Sequence, residues 1–236
     1  MSKKLGVIGG MGPEATNFFY ARLIARTKAE RDQEHIDTII LSHASMPDRT
    51  QAILTGKKDD LLRAMTEDAH NLEMLGVSNI AIPCNTSHYF YDEIQAATKV
   101  PIIHMVEESI RHVKKNWPDT KRIGIMGTDG TIQAGTYHRA CERYGIIPVQ
   151  PGPERQKDIM SLIYDDIKGG KTGDRNKFIR TYDELMEKGC DAIILACTEI
   201  SVFKELYQVP LNCVDAMDVL VREAIIRSGA EYLVTV

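Results

Sequence analysis

Three segments of this 236-residue chain recur, in the same order, in its second half, and this repeat constrains the fold more than any other feature. Leu5-Gly6-Val7-Ile8-Gly9 returns as Ile123-Gly124-Ile125-Met126-Gly127, an offset of 118 from Gly6 to Gly124. The run from Gly76 to Cys84 returns as Gly189 to Cys197, an offset of 113, and Val100-Pro101 returns as Val209-Pro210, an offset of 109. Offsets that drift by a few residues with the order kept are what small loop deletions leave in a duplicated unit. The sequence therefore predicts two similar halves.

Each half alternates short apolar runs with longer amphipathic segments. Leu5–Gly9 reads as a buried strand, the segment from Pro13 to about Lys28 as a helix and Ile36 to Leu41 as a strand. A helix from about Asp59 to Leu75, a strand at Ile80–Ile82, a helix over Thr86–Thr98 and a short strand at Pro101–Ile103 follow. Continuous apolar strands between helices mean βαβ units and parallel sheets covered on both faces. The expected class is α/β, with two Rossmann-like lobes related by a pseudo-twofold axis and a site between them. In each half the Val-Pro strand leads into an apolar-periodic helix, about His104–Lys115 and about Asp215–Arg227. The last of these lies beyond the second half and is expected to pack back on the first. That places lobe one at 1–103 plus 211–236 and lobe two at 104–210. Gly169–Gly173 reads as a flexible loop between two helical patterns.

Composition narrows the function classes. With 33 acidic against 29 basic residues the net charge is −4, which is no footprint for nucleic acid or an anionic membrane surface. No apolar run approaches the roughly 20 residues that a membrane helix needs. The opening Met1-Ser2-Lys3-Lys4 enters a strand-like run at once, so no export signal is expected. Cys84, Cys141, Cys190, Cys197 and Cys213 form no CxxC pair, and no two of them have ligand-like spacing with a nearby Cys or His partner. They read as reduced thiols of a cytoplasmic protein without a metal site.

Two of the five cysteines stand apart. The sequences Ile82-Pro83-Cys84-Asn85-Thr86 and Leu195-Ala196-Cys197-Thr198-Glu199 put a thiol directly after a buried strand and before a helix, at equivalent places in the repeat. The carboxyl ends of strands in open parallel sheets are where ligands bind. A nearby helix N-terminus favours thiolate over thiol. Asn85, Thr86 and Thr198 are short polar residues able to cap a helix or to donate to a bound carboxylate. Thiols meeting across a cleft between two such halves suit proton transfer to opposite faces of one carbon. Cys141, Cys190 and Cys213 are expected to be packing residues, since a free cysteine ordinarily acts as a small hydrophobe.

The opening Gly10-Met11-Gly12-Pro13-Glu14-Ala15 formally fits a dinucleotide fingerprint. Glu14 stands where a pyrophosphate would bind, however, and Leu41-Ser42-His43 ends the second strand without an acidic ribose ligand. The segment reads instead as a tight strand-to-helix turn beside the site, with Met11 as a substrate contact. His88, four residues after Cys84, reads at least as well as a capped, solvated first-turn residue as a group that orients the site.

Gly9–Pro13, Pro47-Asp48-Arg49-Thr50, Pro83–Thr86, Glu154-Arg155-Gln156, Asp166–Gly169 and Cys197-Thr198-Glu199 together resemble the aspartate/glutamate racemase superfamily over essentially the whole chain. Glu199 after the second Cys-Thr resembles the aspartate racemase branch. The resemblance implies an enzyme independent of pyridoxal phosphate or any other cofactor, usually a homodimer, that uses Cys84 and Cys197 as a base and acid pair on a small amino acid. Racemisation of aspartate, with glutamate also possible, is the function it implies. It also makes Arg49, in the loop after the second strand, a partner for a substrate carboxylate. Lys168, before two glycines, becomes a second cation over the cleft, and Gln51 a less secure contact in the same loop as Arg49. A broad-specificity racemase and a cysteine-dependent isomerase of the maleate type, in which one thiol attacks covalently, are the alternatives.

Overall fold

The computed structural model describes residues 3–234; Met1 and Ser2, on which the expected start of the fold partly rests, lie outside them. The apolar runs become seven strands in two parallel sheets. The strands are β1 (Leu5–Gly9), β2 (Thr38–Ser42), β3 (Asn79–Ala81), β4 (Arg122–Met126), β5 (Ile147–Val149), β6 (Ala192–Leu195) and β7 (Cys213–Asp215). Helices α1 (Pro13–Arg26), α2 (Arg49–Thr55), α3 (Asp59–Met74), α4 (Tyr91–Ala96) and α5 (Met105–Asn116) belong to the first repeat and its connection. Helices α6 (Asp129–Ala134), α7 (Thr136–Arg143), α8 (Pro153–Ser161), α9 (Arg175–Glu187), α10 (Thr198–Leu206) and α11 (Ala216–Arg227) complete the chain.

Strand order repeats as the sequence does. The first sheet runs β2-β1-β3 and the second β5-β4-β6-β7. Where the second has β7, the first has only a bridge from Ile80 to Ile102. The strand expected at Pro101–Ile103 is reduced to this because Gln95 Oε1 takes the Ile102 N–H (2.8 Å) and His104 at once caps α5. The expected helix over Thr86–Thr98 likewise divides into a 3₁₀ turn at Thr86–Phe90 followed by α4.

Strand alternation explains why both faces of each sheet are apolar. Leu5 and Val7 of β1 point into the same core cluster as Ile123 and Ile125 of β4 and Ile194 of β6, so this cluster lies between the two halves. Ile8 faces the other way, onto Leu61, Met65 and Leu72 of α3. Met126, Ile193 and Leu195 face Ile159, Phe178 and Leu185 of α8 and α9. The repeat-equivalent helices α5 and α11 pack on each other inside the shared cluster, and α11 also lies along α1. A buried guanidinium strengthens that last contact: Arg22 of α1 reaches Asp215 (2.9 Å), Asp218 and Glu205. β7 pairs with β6, so the chain leaves the second sheet immediately before α11 returns to α1. Among the described residues no helix is long and apolar enough to cross a membrane.

Candidate active site

The carboxyl ends of β3 and β6 carry Cys84 and Cys197 into one small cavity, whose walls also include Met11, Arg49, Asn85, Thr86, Lys168, Thr198 and Glu199. Its volume is about 30 Å³, far below the roughly 300–1,000 Å³ of ordinary small-molecule sites. A larger cavity of about 360 Å³ adjoins it beside Gly12, Pro13 and Glu14 of the glycine-rich turn. Arg49, Lys168 and Glu199 belong to the walls of both, so their side chains form the partition. Gln51 is exposed on α2 and lies outside the cavity wall.

Local chemistry places each group. Gly10 adopts φ +87°, and a Cβ there would stand 2.4 Å from the His43 backbone, so only glycine allows this turn to bring Met11 inward. Arg49 and Gln51 are not in a loop as expected: Asp48 Oδ1 accepts the Gln51 N–H (2.7 Å) and starts α2 at Arg49. Two Arg49 bonds go to carbonyls of Met46 (3.3 Å) and Pro47 (3.0 Å), while its buried Nε has no partner. Across the cavity, Gly130 of α6 lies so close to α2 that a Cβ would meet Thr50 Oγ1 at 2.6 Å. This glycine lets helices of the two halves touch beside the site.

Asn85 does not serve as the helix cap that its position suggests. Its Oδ1 accepts from the buried Tyr137 hydroxyl (2.6 Å), it caps nothing, and its Nδ2 is buried without a partner. A buried donor left unpaired costs roughly 1–3 kcal/mol, so Arg49 Nε and Asn85 Nδ2 are two places where a bound carboxylate gains most. Thr86 Oγ1 joins Thr128 and Thr131 in a hydroxyl cluster spanning the two halves (3.4 and 3.0 Å).

The two thiols differ. Cys197 Sγ donates to Glu199 Oε2 at 2.8 Å, and Thr198 Oγ1 donates to the same oxygen at 3.2 Å. Burial first, and then the Glu199 charge, push the Cys197 thiol well above its ordinary value. The expectation that a helix N-terminus makes this thiol a thiolate is therefore corrected: the terminus of α10 is present, but desolvation and a neighbouring carboxylate outweigh it. Among the described residues Cys84 has no carboxylate hydrogen-bonded to it; its carbonyl is held by His88 Nδ1 (2.9 Å). His88 is fully buried rather than solvated, and its Nε2 accepts from the Met105 N–H (3.1 Å). That acceptor role fixes Nδ1–H as the donor to Cys84.

Lys168 ends a π-helical turn, Leu162–Ile167, with its ammonium 3.7 Å from Glu199 Oε1 and 4.4 Å from the Tyr164 ring centre. Burial works against its charge, but the neighbouring Glu199 carboxylate outweighs that and raises it above the ordinary lysine value. Asp166 pins the following glycine loop, taking Lys177 (2.7 Å) and the Asp174 N–H (3.2 Å). Thr128 and Tyr164 line the cavity without having been singled out in the sequence, and Asp48 and Thr50, part of the Pro47–Thr50 motif but given no role there, line it too. Thr128 was within reach of the repeat, since it follows Gly127 as Gly10 follows Gly9. The remaining cysteines are buried thiols, with burial pushing Cys141 and Cys213 up to about 12 and Cys190 to about 11. Cys213 opens β7.

Comparison with known proteins bears on the family and the fold. Residues 8–224 match the family model described as Asp/Glu/Hydantoin racemase. A broad specificity amino-acid racemase, RacX, from Bacillus subtilis is 28% identical over 222 residues, covering 94% of this chain and 96% of the relative. The solved structure of Picrophilus torridus aspartate racemase superposes with a TM-score of 0.79 at 27% identity, covering 97% of this chain and 96% of that one. A putative Asp/Glu racemase from Yersinia pestis gives 0.81 at 25% identity, covering 96% and 99%. The two-lobed architecture and the resemblance drawn from the motifs hold along the whole length, and the chain belongs to the Asp/Glu/hydantoin racemase family.

Proposed function

We propose that this protein interconverts L- and D-aspartate, and accepts glutamate, by passing the α-proton between Cys84 and Cys197. The observation that carries this reading is the meeting of two repeat-equivalent thiols in one cavity, beside two buried N–H groups that lack partners. An amino-acid α-hydrogen is very weakly acidic, so the base must be well placed and the developing carbanion stabilised. Asn85 Nδ2, with the Thr86 and Thr198 hydroxyls, receives the α-carboxylate and takes up its growing charge. Arg49 and Lys168 receive the side-chain carboxylate, the charge that distinguishes an acidic substrate.

The Cys197–Glu199 hydrogen bond makes Cys197 the proton donor of this state. Cys84 then removes the α-proton as thiolate, and Cys197 delivers its proton to the opposite face. Turnover leaves Cys84 protonated and Cys197 ionised, which is the state that accepts the product enantiomer in reverse. Substrate entry requires Lys168 and Glu199 to part, since the cavity behind them, at about 30 Å³, is too small for an amino acid. The five free thiols support a reducing, cytoplasmic setting, and the family resemblance supports a homodimer.

Broad specificity is a second reading, favoured by the whole-length similarity to RacX. A chiral assay across the proteinogenic amino acids separates the two, the aspartate reading requiring that acidic substrates lead. Cys84→Ala and Cys197→Ala should each abolish racemisation. Full activity in either variant removes the two-thiol chemistry.

A further inference from the structure

A second cavity, of about 520 Å³, lies among α4, α5, α7 and the end of α11 and shares no wall residue with the catalytic one. Its volume is in the range of small-molecule sites, and its walls are strongly charged. Arg111 and Arg227 both pair with Glu108, and Arg143 pairs with Glu107. Arg139 has no acidic partner among the described residues; the one hydrogen bond of its guanidinium goes to the Ala134 carbonyl (2.9 Å). With Asp92 at the rim, the walls hold four guanidiniums and three carboxylates, and Arg227 also meets Glu223 (3.5 Å) behind the wall, which leaves Arg139 as the wall guanidinium without an acidic partner among the described residues. The imidazole of His104 adds no positive charge: burial, then His88, with Arg143 and Arg139 adding to the effect, push it down to about 3. Thr136 supplies an independent sign of a ligand. It lines the cavity at only 6% exposure, and its hydroxyl has no partner.

We propose that this cavity binds a small carboxylate- or phosphate-bearing anion, and that its occupancy alters turnover at Cys84. Arg139 supplies the uncommitted guanidinium and Thr136 the orphaned hydroxyl, a donor pair suited to an oxyanion. Two wall residues back directly onto catalytic groups. His88 donates to the Cys84 carbonyl, and Thr136 precedes Tyr137, whose hydroxyl holds Asn85. A ligand that shifts either wall by a few tenths of an ångström moves the thiol or the amide with it. This coupling rests on the racemase reading, whereas binding does not.

The test is calorimetric titration of the full chain with inorganic phosphate and with citrate, at ionic strength held constant with sodium chloride. Wild type, Arg139→Gln, Thr136→Val and Arg49→Gln are compared. Saturable binding of at least one probe is expected, weakened at least about tenfold in Arg139→Gln and several-fold in Thr136→Val, and unchanged in Arg49→Gln. The preferred probe tells phosphate from carboxylate recognition. Aspartate turnover should change by more than twofold at saturation in wild type and not in Arg139→Gln. No saturable binding, or binding undiminished in both cavity variants, overturns the site, as does binding lost only in Arg49→Gln. If Arg139→Gln fails to fold, weakened or undiminished binding in Thr136→Val decides between the same two outcomes. Binding without any change in wild-type turnover overturns the coupling. Binding with no turnover of any amino acid counts against the racemase reading alone.

Discussion

Cys197 Sγ lies 2.8 Å from Glu199 Oε2, so the second thiol is held as a proton donor by a carboxylate two residues further along the chain. Glu199→Gln keeps an acceptor there but removes the negative charge that, after burial, keeps the thiol protonated. Cys197 should then titrate at lower pH, read from thiolate absorbance against a Cys197→Ala control. Because the equilibrium constant of a racemisation is unity, kcat/KM must fall equally for both enantiomers. A loss on the order of 100-fold is expected for a misplaced acid–base group. Unchanged thiol titration would show that the carboxylate does not govern this proton.

Arg49 lines the cavity with its Nε buried and unpartnered among the described residues, while two other bonds anchor it to Met46 and Pro47. Arg49→Lys keeps the charge and loses the fork. The KM for aspartate should rise by about tenfold or more, with a smaller change in kcat and little change in stability. Steady-state kinetics of aspartate against an uncharged amino acid check this, since only the acidic substrate should suffer.

Much of the fold was legible because β1 and β4 repeat one another, and a strand buried on both faces leaves an unbroken apolar run. The pairing of Cys84 with Cys197 followed from the same repeat. Other features depend on packing that no local pattern carries. Tyr164 reaches the cavity because a π-helical turn re-aims it, and His88 turns inward because its ring bridges Cys84 and Met105. The α2 helix was legible in principle, since Pro47-Asp48 is a helix-start signal, yet seven residues give little periodicity. The protonation of Cys197 was not legible: helix position argues for thiolate, and only the placement of the Glu199 carboxylate decides otherwise.

Tyr137 acts on the site through Asn85. Tyr137→Phe leaves the buried Asn85 Oδ1 without its donor and frees the amide to turn its Nδ2 away from the cavity. A stability loss of about 1–3 kcal/mol is expected. A fall in kcat/KM of about tenfold should accompany it in the variant at temperatures where it is fully folded. Denaturant melts and kinetics on the same preparation separate the two effects.

His88 and His104 are both held below the ordinary histidine range, burial being the largest cause in each. Both also accept backbone N–H bonds, from Met105 and Glu107, that a protonated ring cannot accept. Folded values depressed below the unfolded one mean stability that is complete above about pH 6.5 and lost as pH falls, for His104 down to about 3. For His104 the slope within that window is about 1.4 kcal/mol per pH unit, and the lowered His88 adds to it in the same direction. Urea midpoints between pH 7 and pH 4 should fall steeply in wild type and less steeply in His104→Asn, which keeps a capping acceptor.

Deuterium incorporation tests the two-thiol account most directly. Either aspartate enantiomer is incubated with the enzyme in deuterated water and sampled at low conversion, with the α-position of each enantiomer read separately by chiral separation and mass spectrometry. Proton removal by one cysteine and delivery by the other predicts an α-deuteron in the newly formed antipode while the remaining substrate stays protiated. Equal labelling of both enantiomers from the earliest times, or no exchange with aspartate, glutamate or any other amino acid, would contradict it.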